Sequence, residues 1–241
     1  MTIADKVVLV TGANRGIGQA LVGEALHRGA ARVYAGTRQP LAHRDPRVIP
    51  LTLDVTRGDQ IKAAADQVES LDILVNNAGV FAFEDLSDRA QLERHLAVNL
   101  YGTYDVTRAF LPALTRSQGA IVSIGSIVAL APVPLTPAYS LSKAAAFNLM
   151  QSLRMLLEQQ GVRVHIALCG PVDTDMVQDL PIPKSSPESV ARAIFDGIDH
   201  GDEDIFPDSL SQTLAEGWYT GIAKALEGQN GALLAAVPAA R

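Results

Sequence analysis

Lys6-Val-Val-Leu-Val-Thr-Gly-Ala-Asn-Arg-Gly-Ile-Gly18 is the stretch that decides the fold. Its β-branched opening reads as a buried strand. The glycine-rich turn leads into Gln19 to Arg28, where apolar residues stand at 21, 22, 25 and 26 before Gly29 stops the run. Strand, glycine loop, helix and glycine stop follow one another. Such a loop lets the backbone turn tightly beside the positive, amide-rich start of a helix, a place suited to a pyrophosphate. The spacing Gly12-x-x-x-Gly16-x-Gly18 is one residue longer than the usual dinucleotide fingerprint. Alone it is also compatible with a plain strand-to-helix turn.

The same alternation continues along the chain. Strands are expected at 31–36, 48–55, 71–75, 120–124 and 162–168, with a short last one near Asp204-Ile-Phe206. Helices are expected over 59–70, 87–114, 138–160 and from Pro187 to Gly197. The second of these reads as capped by Ser87, bent near Gly102 and ended by Pro112. Thr37 to Arg47 carries Pro40 and Pro46 and has no room for a full helix; the alanine-rich tail 228–241 reads as loosely ordered. The pattern implies an α/β chain, one domain over 1–241, with a doubly wound parallel sheet of about seven strands and helices on both faces.

Composition narrows the partners. Of 241 residues, 48% are hydrophobic and 19% charged, and the net charge is −6. That balance is globular, and without a basic run it excludes nucleic acid. The five histidines are scattered without ligand spacing, so no metal site is expected. Cys169 is the sole cysteine and sits in an apolar run, as a small buried hydrophobe would. No apolar stretch reaches membrane-spanning length and the first residues do not form a signal peptide, so the expected address is the cytoplasm.

Tyr139-Ser-Leu-Ser-Lys143 carries the chemistry, with Ser126 thirteen residues before the tyrosine. On a helix, Tyr139 and Lys143 share a face. An ammonium a few ångströms from a phenol favours the phenolate, making the tyrosine usable as an acid and base.

Thr11-Gly-x-x-x-Gly-Ile-Gly18, Asp54, Asn76-Asn-Ala-Gly79, Asn99, Ser126, Tyr139-x-x-x-Lys143 and Pro171-Val-x-Thr174 stand in one order along the chain. Together they resemble the short-chain dehydrogenase/reductase family over nearly the whole length. The resemblance implies a Rossmann fold and an oxidoreductase that moves hydride between a nicotinamide cofactor and a carbonyl or alcohol. It implies that Gly12, Asn14, Gly16, Ile17 and Gly18 line the pyrophosphate and adenosine ribose. Asp54 and Val55 would meet adenine, Asn76, Ala78 and Gly79 a cofactor ribose, and Pro171, Val172 and Thr174 the nicotinamide carboxamide. Tyr139 would be the acid/base, Ser126 would bind the substrate oxygen, and Lys143 would hold the nicotinamide ribose and lower the tyrosine pKa. Asn99 would keep a water in a relay behind Lys143. Several positions keep a plainer reading open: Asp54 and Thr174 as caps, Asn76 as a bridge between strands, Asn99 as a helix-bend residue.

An NAD enzyme places an acid at the end of the second strand. Here Thr37 stands there, with Arg38 next and Arg15 in the glycine loop. Two guanidiniums without a carboxylate suit a ribose 2′-phosphate, so the expected cofactor is NADP(H). Val80, Phe81, Phe83, Val128, Leu130, Pro134, Val172 and Met176 are the expected pocket lining and favour an apolar ketone or aldehyde. The alternatives are a 3-oxoacyl-thioester reductase and a non-catalytic NADP(H) sensor or scaffold. An enoyl reductase fits less well, because Ala145 stands where that variant of the family has lysine. The segment after Thr174 is short for the substrate lid that relatives carry there. The resemblance also implies a homodimer or homotetramer, assembled through the helices at 87–114 and 138–160.

Overall fold

Val8 and Val10 of β1 (Val7–Thr11) point to one side of the sheet and Leu9 to the other, and all three are fully buried. That is why the run is continuously apolar: a parallel strand covered on both faces has no polar side to show. In the computed structural model, which describes residues 1–39, 41–179 and 181–236, seven parallel strands lie in the order β3-β2-β1-β4-β5-β6-β7. They are β1, β2 (Arg32–Thr37), β3 (Val48–Thr52), β4 (Ile73–Asn76), β5 (Ala120–Ser126), β6 (Arg163–Cys169) and β7 (Asp204–Ile205). This is the expected doubly wound parallel sheet. Its strand order reverses between β1 and β4, and a crevice opens at that switch point beyond the carboxyl ends of the strands.

One face is covered by α1 (Gly16–His27) and α6 (Pro187–His200), with Leu21, Val22, Ile194 and Phe195 on Val8, Val10, Val33 and Ala35. The other is covered by α2 (Gly58–Gln67), α4 (Thr103–Ser117) and α5 (Pro137–Leu157), with Phe110, Leu114, Phe147 and Met150 on Leu9, Leu74, Ile121 and Ile166. Full burial of a side chain such as Phe110 or Phe195 stabilises by about 1.5–3 kcal/mol.

Three local expectations are corrected. Ser87 does not cap the long helix; Asp88 does, accepting from the Ala90 amide at 2.9 Å. Helix α3 (Arg89–His95) runs through a π-helical stretch, Leu96–Gly102, into α4. Gly102 is needed there for contact, since a Cβ would lie 2.7 Å from Val55 Cγ2. Pro112 does not end α4, which continues to Ser117 and stops at Gln118 with φ 50°. Pro112 is on the exposed side, so the carbonyl it leaves unpaired can be solvated. Finally, the tail is helical well past Gly228: α8 spans Ile222–Ala236, and residues 237–241 of the expected loose tail lie outside the described residues.

Helices α7 (Ser209–Tyr219) and α8, absent from the sequence reading, are fastened around one buried carboxylate, α7 through Trp218 and α8 through ion pairs. The fully buried Asp204 side chain accepts from Arg154 Nη2 at 2.7 Å, Lys224 Nζ at 2.7 Å and Trp218 Nε1 at 2.8 Å. Glu227 of α8 accepts from Arg154 at 2.6 Å. The β2–β3 crossover has no helix among its described residues, as expected. Arg47 ties it down, bonding Asp45 and the Leu26 and Ala30 carbonyls.

Candidate active site

The crevice at the carboxyl ends of the strands is a cavity of about 520 Å³. Its wall contains Gly12, Asn14, Arg15, Gly16, Ile17, Gly18, Thr37, Arg38, Asp54, Val55, Ala78, Gly79, Ser126, Tyr139, Lys143, Pro171, Val172 and Thr174. The fold thus brings nearly all the sequence-selected positions onto one surface. Asn76 and Asn99 are not on it.

The glycine loop is closed by contact. A Cβ on Gly18 would stand 2.2 Å from the Gly12 carbonyl oxygen, so any side chain there would break the turn. Helix α1 begins behind it with Arg15 as N-cap, no side-chain cap and no acid in its first turn. Its first amides are therefore left open to the crevice, the arrangement a bound diphosphate group needs. Thr11 holds the neighbouring wall: its hydroxyl accepts from the amides of Asn77 and Ala78, both at 3.0 Å. Asn77, which the sequence reading passed over, donates through Nδ2 to the Thr11 and Gly12 carbonyls at 2.8 and 3.1 Å. Asn76 instead turns inward and donates to Thr107 Oγ1 of α4 at 2.9 Å. Strand parity carries the reason. Ile73 and Val75 face the α1 side and Leu74 the α4 side, so Asn76 follows Leu74 toward α4.

Ser126 ends β5, and Tyr139 and Lys143 rise on successive turns of α5, whose first residue, Pro137, presets the helix start. Lys143 is 9% exposed and donates from Nζ to the Ile124 carbonyl at 2.7 Å; the ammonium lies 5.8 Å from the Tyr139 ring centroid. The tyrosine ring is wedged edge-on between Phe81 and His95, with centroids at 5.2 and 6.3 Å. Asn99, in the π-helical stretch, exchanges hydrogen bonds with Val80: Oδ1 accepts from its amide at 2.9 Å and Nδ2 donates to its carbonyl at 3.0 Å. Nδ2 also reaches Ser142 Oγ at 2.9 Å, and Ser142 donates to the Tyr139 carbonyl at 2.7 Å. Asn99 and Lys143 converge beside Gly79, where an added Cβ would stand 3.3 Å from Asn99 Oδ1 and 3.8 Å from Lys143 Nζ.

The electrostatics differ from the expectation that Lys143 lowers the tyrosine pKa. Burial pushes the Tyr139 hydroxyl well above the ordinary tyrosine value, and the adjacent Cys169 adds to the rise, while the Ser126 hydroxyl works in the other direction. Burial likewise brings the Lys143 ammonium down to about 8. Desolvation disfavours whichever form carries charge, and it is the largest cause of both shifts. The site keeps the proton on the phenol, a state suited to donating it to a developing alkoxide. Cys169 is 4% exposed and its thiol is pushed up to about 12 by burial, in keeping with a packing role.

Asp54 accepts from the amide and hydroxyl of Thr56 through one oxygen, at 2.9 and 2.7 Å, so the carboxylate braces its own turn on the crevice wall. Of the expected apolar lining, Val80, Phe81, Phe83, Val128, Val172 and Met176 are in place, whereas Leu130 and Pro134 are not. The mouth gains Val133, Leu135, Ile182 and Leu210. With Phe83 and Met176, these are all 40–65% exposed, an unusual concentration of open apolar side chains around one cavity. Leu210 comes from α7, some seventy residues after the tyrosine, and no local signal in the sequence marks it. Among the described residues no helix is long and apolar enough to cross a membrane, and no cluster of metal-ligating side chains occurs.

Known proteins share this arrangement. The sequence profile described as short chain dehydrogenase matches residues 6–184. The chain is 34% identical over 226 residues to 11-beta-hydroxysteroid dehydrogenase-like 3 of Arabidopsis thaliana, spanning 83% of this chain and 72% of that protein. It is 34% identical over 208 residues to 2-(S)-hydroxypropyl-CoM dehydrogenase 3 of Xanthobacter autotrophicus, spanning 80% of this chain and 82% of that protein. The crystal structure of a short chain dehydrogenase from Burkholderia cenocepacia in complex with NADP superposes with a TM-score of 0.87 at 34% identity, covering 95% of this chain and 98% of that one.

Proposed function

The chain belongs to the short-chain dehydrogenase family of oxidoreductases, and we propose that it reduces an apolar ketone or aldehyde with NADPH. The observation that carries this reading is the meeting of Ser126, Tyr139 and Lys143 at the floor of one crevice, with the open α1 amides on one side and the apolar mouth on the other.

The crevice fits a dinucleotide. Its diphosphate would lie on the loop amides of Gly12 to Gly18, and adenine beside Asp54 and Val55. Arg15 and Arg38 on the wall, with Thr37 in place of an acid, favour NADP(H) over NAD(H). Ala78 and Gly79 would flank a ribose, with Asn76 acting behind them through Thr107. Lys143 and Tyr139 would hold the nicotinamide ribose, and Pro171, Val172 and Thr174 the carboxamide. When bound, the nicotinamide supplies or accepts the hydride.

The chain's own groups do the rest. The Ser126 hydroxyl donates to the carbonyl oxygen and fixes it next to Tyr139. The Tyr139 hydroxyl, kept protonated by burial, gives its proton to that oxygen as negative charge develops. Lys143, with a pKa near 8, returns a proton toward Tyr139, and Asn99 orders the path behind it through Ser142 and Val80. Phe83, Leu135 and Leu210 exclude water from the substrate side.

The reading extends to the whole chain as a single cofactor-binding domain, to a cytoplasmic address, and to a homodimer or homotetramer. The exposed Tyr101, Tyr104, Leu141 and Leu156 on the outer helices support the assembly. The test is NADPH oxidation, followed by absorbance, against a panel of apolar ketones, aldehydes and a 3-oxoacyl thioester. Turnover of apolar carbonyls, with NADPH preferred to NADH by roughly tenfold or more, is expected from charge-assisted bonds to the 2′-phosphate. Turnover confined to the thioester would replace the substrate assignment, and absence of turnover with cofactor bound would favour a sensor.

A further inference from the structure

Arg15 is not simply waiting for a phosphate. Its Nη1 donates to Asp175 Oδ2 at 3.1 Å, and both side chains belong to the crevice wall. Asp175 sits on the loop that leaves β6, and the neck of that loop is stiff. Val172 pairs with Ser185, the Asp173 amide donates to the Ser185 carbonyl at 2.9 Å, and the Ser185 amide donates to the Pro171 carbonyl at 3.1 Å. The loop also touches the glycine loop directly, because a Cβ on Gly16 would stand 3.0 Å from Thr174 Cγ2. Contact of the Thr174 methyl with Gly16, one residue away from each partner, therefore holds the carboxylate opposite the guanidinium.

From this geometry we propose that Asp175 is a specificity-determining residue. It holds Arg15 when no 2′-phosphate is present and gives it up when NADP(H) binds, so it sets how strongly the protein prefers NADP(H) to NAD(H). The proposal rests on the NADP(H) reading above. The ion pair is solvent-exposed, at 63% and 68% for the two side chains, and so is weak and readily exchanged. A 2′-phosphate carries close to two negative charges and three acceptor oxygens, against one charge on the carboxylate, and a guanidinium can meet it through two parallel bonds. The phosphate therefore wins the arginine, but only after the carboxylate has been displaced. NAD(H) brings a hydroxyl instead and leaves the pair in place. Asp175 thus lowers NADP(H) affinity and leaves NAD(H) affinity nearly unchanged. Arg38, the second guanidinium on this wall, has a carboxylate neighbour of another kind: its charge helps to hold the Asp54 carboxyl low, while Asp54 is engaged by Thr56.

Calorimetric titration of NADP⁺ and NAD⁺ into the full-length protein, Asp175→Asn, Arg15→Gln and the double variant tests this. Asp175→Asn is expected to tighten NADP⁺ by about three- to fivefold, the upper range of an exposed ion pair, and to move NAD⁺ by less than about twofold. In the Arg15→Gln background the same change should leave NADP⁺ affinity unaltered. Unchanged or weakened NADP⁺ binding in Asp175→Asn overturns the proposal, as does a gain that persists without Arg15 or appears equally for NAD⁺. If the unaltered protein binds NADP⁺ no tighter than NAD⁺ and Arg15→Gln changes neither, the NADP(H) reading itself fails. If Arg15→Gln removes a real preference while Asp175→Asn does nothing, only the role of Asp175 fails.

Discussion

Thr11→Val removes one oxygen atom and keeps the volume. Thr11 is 1% exposed, and its hydroxyl accepts from two main-chain amides, those of Asn77 and Ala78, while donating weakly to the Val75 carbonyl at 3.4 Å. Valine fills the same space, so no cavity forms. Both amides lose the acceptor, and each unpaired buried donor costs about 1–3 kcal/mol. Asn77 and Ala78 are only part-buried, and crevice water can relieve some of that, which brings the sum to about 2–4 kcal/mol. For a chain of this length the melting temperature should fall by roughly 5–15 °C. Thr11→Ser is the control, since it keeps the oxygen and loses a methyl group for about 1 kcal/mol. Urea unfolding of the three proteins, followed by circular dichroism, reads the difference. The Ala78 amide borders the crevice, so Thr11→Val should also weaken dinucleotide binding more than Thr11→Ser does. A Thr11→Val protein within about 0.5 kcal/mol of the parent, or a serine variant equally damaged, would refute this account of how β1 and β4 are joined.

Three further outcomes follow from the buried charges. Lys143 is brought down to about 8, so the rate of carbonyl reduction should be level below that pH and fall above it as the amine loses the proton it passes to Tyr139; a kcat/KM profile with no such limb would contradict the relay. The stability sign is the opposite. The folded pKa lies below the unfolded value of about 10.4, so the folded protein binds fewer protons between about 8 and 10.4 and gains stability as pH rises through that window, an effect that Lys143→Met should abolish in urea titrations. Asp204→Asn strips the carboxylate from Arg154 and Lys224 and should cost about 3–5 kcal/mol, with hydrogen exchange in α7 and α8 rising before the sheet opens. Exchange no faster there than in the parent would show that other contacts hold these helices.

The sequence made the sheet and the site legible to different depths, for physical reasons. The glycine loop, the serine–tyrosine spacing and the tyrosine–lysine pair depend on separations of a few residues along one strand end or one helix face, so they can be read without knowing the neighbours. The roles of Asn76 and Asn77 were within reach of the same reasoning, because the two-residue repeat of β4 already points Asn76 toward α4. Pro112 misled because a proline ends a helix only where the carbonyl it frees has no other partner, and on this exposed face water is that partner. The direction of the Tyr139 shift was not legible, since burial comes from Phe81, His95 and the sheet beneath, none adjacent in sequence. Helices α7 and α8 were missed because α7 is anchored mainly by Trp218, which packs on Phe147 and donates to Asp204, and α8 by the ion pairs of Lys224 and Glu227, which leave little apolar period to read. With them went Leu210, and with it part of the rim that shapes the substrate mouth.

Tyr139→Phe tests the central claim most directly. The change deletes one hydroxyl from a ring already held by Phe81 and His95, so the variant should fold and still bind NADP⁺, weakened by no more than about tenfold through loss of one ribose contact. Single-turnover measurement of NADPH oxidation with the best carbonyl of the panel should show the rate reduced by about 10²–10⁴, the contribution of a positioned general acid. A Tyr139→Phe protein that binds cofactor and still turns over within a few-fold of the parent would contradict the assignment of Tyr139 as the proton donor.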